Sequence, residues 1–323
     1  MKAIEVTEYG RSEALEPDER PVPEPGPDEV RIDVETAGIN FADVMQRRGA
    51  YPGGPEPPYV PGLEAAGRID AVGENVGLRE GDEVVAMTTA GAYAEYALAR
   101  PDQCFPIPEG MDFAEAAGFP IQFMTAHCCL FGWGDLEADE RVLVHAAAGG
   151  VGTAAVQLAS RAGAEVFGTA STGRKLDLAA DLGVDHPINY TETDFAAEVD
   201  EITDGEGVHL VLDGVGGDVF DDSMDALAHF GRIVTYGVAS GVPAQANTQE
   251  LLFSNTSVIG FHLGQAMRHD ASRVLEAIPD LTEGLQSGEL EVIVGERFPL
   301  AKAAEAHQYV EDRNSVGKVV LEP

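Results

Sequence analysis

The chain has 323 residues, 44% hydrophobic and 24% charged, the composition of a folded protein with material for about two domains. Acids outnumber bases 56 to 20, for a formal net charge of −36, and such a field repels nucleic acid and acidic lipid, so neither is expected as a partner. The acids are dispersed among regularly spaced apolar residues, which argues against disorder and for the hydrated carboxylate surface of salt-adapted proteins.

No apolar run reaches the roughly 20 residues of a membrane span. "MKAIEVTEYG" lacks the apolar core of an export signal, and the three cysteines, Cys104, Cys128 and Cys129, offer no disulfide framework. A cytoplasmic protein is expected. "PVPEPGPDE" (21–29) reads as a loop, because proline cannot donate ladder hydrogen bonds. "VRIDVET" (30–36) alternates apolar and polar residues as a half-buried strand does. "GRIDAVG", "DEVVAM" and "AYAEYALA" are further strand candidates between Gly, Pro and Asp turns.

From about residue 140 the pattern changes. "RVLVHA" is a short apolar strand, followed by glycines and a helical stretch over 151–162. "EVFGTA", "DHPINY", "VHLVLDGV" and "GRIVTYG" continue as strands with helical stretches between them, and "TSVIGFHL" (256–263) is a plausible last strand. Alternating strands and helices imply an α/β fold with a parallel sheet. A helical pattern and short strands close the chain, ending in "GKVVLEP".

The turn "HAAAGGVG" carries Gly149, Gly150 and Gly152 between a strand and a helix. Glycines there allow a tight turn and a close backbone approach to a pyrophosphate, which the helix N-terminus attracts. Ala147 stands where the usual fingerprint has its first glycine, and a structural turn with no ligand would use the same residues. About 20 residues on, where an NAD site carries an acid for the ribose hydroxyls, the chain has Thr169, Ala170 and Ser171, followed by Arg174 and Lys175. Ser171 can hydrogen-bond a 2′-phosphate, and the two bases can neutralise it, so NADPH is the expected cofactor.

The segments "AGINFADVMQRRGAYP", "PYVPGLEAAGRIDAVGENV", "AAAGGVGTAAVQLA", "GVDHPINY" and "AEAHQYVEDRNSVGKVVL" together resemble the medium-chain dehydrogenase/reductase superfamily, in its zinc-free quinone oxidoreductase (ζ-crystallin-like) branch. The resemblance implies a GroES-like β-barrel catalytic domain (1–121), an inserted Rossmann domain with a doubly wound parallel sheet (122–263), and a return to the first domain (264–323). It implies an interdomain cofactor cleft and a homodimer joined through sheet edges. It places Asn40, Tyr51, Gln122 and Thr125 near the nicotinamide, the first three as catalytic candidates. Gly149, Gly150, Val151, Ser171, Arg174, Lys175, Tyr190, Val215, Gly237, Phe261 and His262 fall to the cofactor groove. Lys318 either reaches the cofactor or is a solvated lysine, and Asp43 is taken as structural.

Zinc-dependent relatives have Cys where this chain has Asn40, and His-Glu where it has Leu63-Glu64. His127, Cys128 and Cys129 are consecutive, so on a helix they diverge by about 100° each and cannot converge on one ion. No metal is expected. Without a Lewis acid the chemistry favours an electron-poor acceptor, whose reduction product is a weakly basic anion such as a hydroquinone or enolate. An NADPH-dependent quinone reductase is the leading expectation. A reductase of enones or enoyl thioesters and a non-catalytic NADPH-binding protein remain as alternatives.

Overall fold

The computed structural model describes residues 1–88 and 91–323. The chain divides into two compact units, one formed by Met1–Ile121 with Val292–Pro323 and the other by Gln122–Glu291.

The first unit begins with an antiparallel pair, β1 (Lys2–Val6) and β2 (Leu15–Glu19). Then come β3 (Val30–Ile39), α1 (Phe41–Arg47), β4 (Glu64–Val72), β5 (Glu83–Met87), β6 (Tyr96–Ala99), β7 (Cys104–Pro106) and the short α2 (Phe113–Ala116). In β3 the residues Val30, Ile32 and Val34 are buried while Asp33 and Glu35 are exposed, the alternation seen in the sequence. The strand candidate at 92–99 shortens to β6, because Ala94 makes only an isolated bridge to Ala3 and Glu95 turns its carboxylate onto the Lys2 amide.

The second unit starts within α3 (Pro120–His127), at Gln122. It continues through β8 (Arg141–Val144), α4 (Gly150–Arg161), β9 (Glu165–Ala170), α5 (Gly173–Asp181), β10 (His186–Asn189), α6 (Phe195–Ile202), β11 (Val208–Asp213), α7 (Asp218–Asp225) and β12 (Leu227–Thr235). It ends with α8 (Thr248–Ser254), β13 (Ser257–Gly260), α9 (Leu263–Leu275) and α10 (Ile278–Ser287). Its sheet is parallel in the order β10-β9-β8-β11-β12-β13, the doubly wound arrangement in which strand order reverses between β8 and β11. Leu143, Phe167, Ile188, Val211, Phe220 and Ile233 form its core. Burial on both faces makes these strands read as continuous apolar runs.

The chain then returns to the first unit with β14 (Val294–Pro299), α11 (Ala303–Glu311) and β15 (Lys318–Glu322). The sheet of that unit runs β14-β15-β3-β4-β5-β7, with β6 also paired to β3. One boundary differs from the expectation. Residues 264–291 belong to the second unit and do not go back with the first. The cause is polar as well as apolar. Arg161 at the end of α4 pairs with Asp280, and the buried Gln157 amide clamps the backbone of Glu291 through bonds of 3.0 and 2.8 Å. The candidate strand 256–263 likewise shortens to β13, because His262 turns out of the ladder to cap α9.

Candidate active site

In the second unit the candidate cofactor residues come to one edge of the sheet. Gly149 and Gly150 follow β8, Ser171, Arg174 and Lys175 follow β9, and Tyr190 follows β10. Val215 follows β11, Gly237 follows β12, and Phe261 and His262 follow β13. Every one is at a carboxyl end, where open α/β sheets bind ligands beside their switch point.

Local geometry at the β8 turn fits a dinucleotide. Ala146, not a glycine, takes the left-handed conformation there, with φ 51°. A Cβ on Gly152 would stand 2.1 Å from the Ala146 carbonyl oxygen, so glycine is what lets helix and strand close together. Gly149 caps α4 without a side chain, leaving the first amides of a 12-residue helix to an outside acceptor. Gln122 and Thr125 are buried on α3. The Gln122 amide lies against the turn, its Oε1 2.9 Å from the position of a Cβ on Gly150, and its Nε2 has no hydrogen-bond partner among the described residues. Past β11, Asp213 Oδ1 accepts from the Val215 and Gly216 amides at 2.7 and 3.0 Å, while its buried Oδ2 has no partner among the described residues. A Cβ on Gly237 would stand 2.8 Å from the Gly214 oxygen, so the turns after β11 and β12 touch backbone to backbone.

Arg174 and Lys175 lie in the first turn of α5, whose N-cap Thr172 makes no side-chain cap bond. Cations at the positive end of a helix are locally unfavourable, and an anion there reverses the sign. Tyr190 is 38% exposed, its amide on Ala170 O at the end of β9. Phe261 is less available than expected. It is buried, with its ring edge-on to Trp133 at 4.8 Å between centroids.

The first unit holds the polar residues carried over to the acceptor end. Asn40 caps α1 and Tyr51 follows it. Lys318 is not a solvated lysine: it is 2% exposed and paired with Glu64, itself fully buried. Its ammonium also donates to Asn40 Oδ1 at 2.9 Å, and Asn40 Nδ2 donates to Glu64 Oε1 at 2.9 Å. Ile121 N occupies the other Glu64 oxygen at 3.1 Å. Gly38 makes room for this clamp, since a Cβ there would stand 2.6 Å from Lys318 Cε and 2.9 Å from Glu64 Oε1. The amide of Asn40 is thereby fixed in orientation, with one N–H still to offer. Among the described residues no three His, Cys, Asp or Glu side chains gather as a metal site would need.

The sequence reading took Asp43 as structural and gave Glu64 no role, and it did not single out Tyr93, His307 or Asp213. Asp43 is fully buried beneath Asn40, whose backbone amide it accepts at 2.8 Å, and burial pushes its carboxyl up to about 7. The Tyr51 phenol is raised by its own burial first and by the Asp43 charge second. The i, i+3 spacing of Asn40 and Asp43 at a helix start was the one sequence signal of this contact.

Two family models match. The alcohol dehydrogenase GroES-like domain covers 26–109, within the first unit, and the zinc-binding dehydrogenase model covers 150–280, within the second. The mouse synaptic vesicle membrane protein VAT-1 homolog is 35% identical over 100% of this chain and 84% of its own length. A quinone oxidoreductase of Pseudomonas aeruginosa is 35% identical over 100% of this chain and 99% of its own. Among solved structures, the Escherichia coli quinone oxidoreductase complexed with NADPH superposes with a TM-score of 0.94, at 32% identity and full coverage of both chains. Likeness of this extent, in both units and in unbroken order, assigns the chain to the quinone oxidoreductase branch of the medium-chain dehydrogenases and reductases.

Proposed function

We propose that the protein reduces quinones with NADPH and uses no zinc. The observation that carries this reading is the pairing of a glycine turn with two cations, Arg174 and Lys175, at adjacent carboxyl ends of one parallel sheet. When bound, NADPH supplies the hydride. The amides at the start of α4 hold the pyrophosphate, and Arg174, Lys175 and Ser171 hold the 2′-phosphate. Tyr190, Val215, Gly237 and His262 line the remaining groove.

Asn40, locked by Lys318 and Glu64, turns its remaining amide N–H to the acceptor oxygen, and Tyr51 gives that oxygen a proton. A hydroquinone anion has a pKa near that of a phenol, roughly 10, so a phenol can protonate it without a metal. Zinc is not required because Leu63 offers no ligand atom, and the Lys318 ammonium already engages Asn40 and Glu64. The exposed edge of β13 pairs with a second copy to form a homodimer.

The test is an acceptor comparison after exhaustive chelation. Quinones should support rapid NADPH oxidation, enones and enoyl thioesters slower oxidation, and simple aldehydes none. Chelator-sensitive reduction of aldehydes, with stoichiometric zinc in the protein, would contradict the reading.

A further inference from the structure

Beneath Asn40 lies a buried acid that the chemistry above does not use. Asp43, Tyr93 and His307 are all fully buried. Asp43 Oδ2 accepts from the Asn40 backbone amide at 2.8 Å and from the Tyr93 hydroxyl at 3.1 Å. Tyr93 OH is also 3.0 Å from His307 Nε2. With the Tyr93 proton turned to Asp43, His307 Nε2 donates to the Tyr93 oxygen, and burial keeps that ring neutral by holding it down to about 3. The other oxygen, Asp43 Oδ1, is buried with no hydrogen-bond partner among the described residues. A bare buried oxygen costs more on a carboxylate than on a neutral acid, so Oδ1 is the atom that carries the proton when Asp43 is neutral.

The titratable groups around Asp43 come from several elements. Glu64 on β4 and Lys318 on β15 are paired to each other, Arg47 on α1 is paired to Glu311 on α11, and Tyr51, Tyr59, Tyr93 and His307 are neutral. Asp43 is therefore the buried acid of this group with no cation of its own among the described residues. Burial pushes its carboxyl up to about 7, against the Asn40 amide, the Lys318 charge and the Tyr93 hydroxyl, which all favour the anion.

We propose that Asp43 is a positioning residue acting through Asn40, and that hydride transfer is fast while Asp43 is a neutral acid and slow once it ionises. The inference rests on the reductase reading. In that step the C4–H bond of the dihydronicotinamide breaks and the hydrogen forms a new bond to the acceptor. Two electrons go with it, so NADPH becomes NADP+ and the quinone becomes a hydroquinone anion. The remaining Asn40 N–H is the donor that meets this new negative charge. An ionised Asp43, bonded to the backbone of that same residue, places a second and uncompensated negative charge behind it. A buried charge is poorly screened, so it opposes the transition state. A neutral Asp43 still accepts both bonds at Oδ2, so Asn40 stays in place without the opposing charge. Asp43 gives its proton to no substrate atom.

The sign of the pH dependence follows. Asp43 is neutral below about 7 and ionised above it, so the rate should fall as pH rises through that value. The bond from Tyr93 favours the ionised form, so removing the hydroxyl should move the fall to higher pH.

Two measurements test the inference. In nucleotide-free protein, infrared spectroscopy should show a buried carboxylic acid band that is lost as pH rises through neutrality. The band should be missing in Asp43→Asn and should persist to higher pH in Tyr93→Phe. In rapid-mixing kinetics with saturating NADPH and a quinone, the wild-type rate of hydride transfer should fall about threefold or more between pH 6 and pH 8.5. Asp43→Asn should lose this fall and outrun the wild type at pH 8.5, and Tyr93→Phe should show it at higher pH. A purely structural role would lower the rate at every pH and leave the profile where it was. That result, or a wild type without the titrating band, would overturn the inference in an otherwise active enzyme. If Asp43→Asn does not fold, the wild-type band and the Tyr93→Phe profile decide. A wild type that oxidises no NADPH with any acceptor would instead overturn the reductase reading, and the inference with it.

Discussion

Arg174 and Lys175 are two of only 20 bases in a chain with 56 acids, and both occupy a helix start that electrostatics assigns to anions. If they hold a 2′-phosphate, replacing both with Ala removes two charge-assisted contacts, about 2–4 kcal/mol. The KM for NADPH should rise steeply while that for NADH barely moves, and initial rates with each cofactor will show it. His145 makes a separate prediction, about stability. Its ring is fully buried between Thr169 and Ser223, and burial lowers it to about 4 from the ordinary 6.5. The unfolded chain binds a proton here below 6.5 and the folded chain refuses it until about 4. Stability from this residue is thus complete above 6.5 and is lost as pH falls to 4, by about 3 kcal/mol in all. Denaturant titrations at pH 7 and pH 4.5 should show a smaller loss in His145→Asn than in the wild type. At this scale the sequence was only partly legible. Arg174 and Lys175, the proposed phosphate bases, stood out because bases are scarce, whereas Lys318 looked like any terminal lysine. Its partners Asn40 and Glu64 are more than 250 residues away in the chain, so no local pattern could reveal the clamp.

The β8-turn-α4 element makes its own distinction among glycines. A Cβ on Gly152 would meet backbone at 2.1 Å, whereas one on Gly150 would meet the Gln122 side-chain amide at 2.9 Å, and that amide can move. Gly152→Ala should therefore cost about 1–3 kcal/mol and Gly150→Ala less than about 1 kcal/mol, by denaturant unfolding. Among the described residues the edge strand β13 pairs only with β12, and nearby Phe230, Leu252 and Phe253 are 75%, 71% and 73% exposed. Large apolar side chains beside an open strand edge are the kind of surface the proposed homodimer would cover. Sedimentation in high salt should give a dimer, and a 34.1 kDa species at micromolar concentration would count against it. Elements of the second sheet were the most legible, since parallel strands buried on both faces are short apolar runs between helices. Boundaries set by side-chain contacts were not: neither the Gln157 clamp that retains residues 264–291 nor the capping turn at His262 leaves a periodic signal.

Over the whole molecule, the net charge of −36 sets the dependence on salt. Folding compacts the acids, so their repulsion penalises the native state more than the unfolded one. The Debye length falls from about 10 Å at 0.1 M to about 3 Å at 1 M, which removes repulsion across a domain. Melting temperature should climb with KCl over that range, and a flat or falling curve would show that the acidic surface does not govern stability. NADPH is itself an anion, so its association rate should rise with salt as well.

The central claim is a reductase that draws its hydride from NADPH and passes it to a quinone. The most direct measurement is the initial rate of nicotinamide oxidation in molar KCl, with a quinone as acceptor and NADPH or NADH as donor. The account predicts quinone-dependent oxidation of NADPH with a kcat/KM well above that for NADH. Equal use of the two cofactors, or no oxidation of NADPH in the presence of quinone, would contradict it.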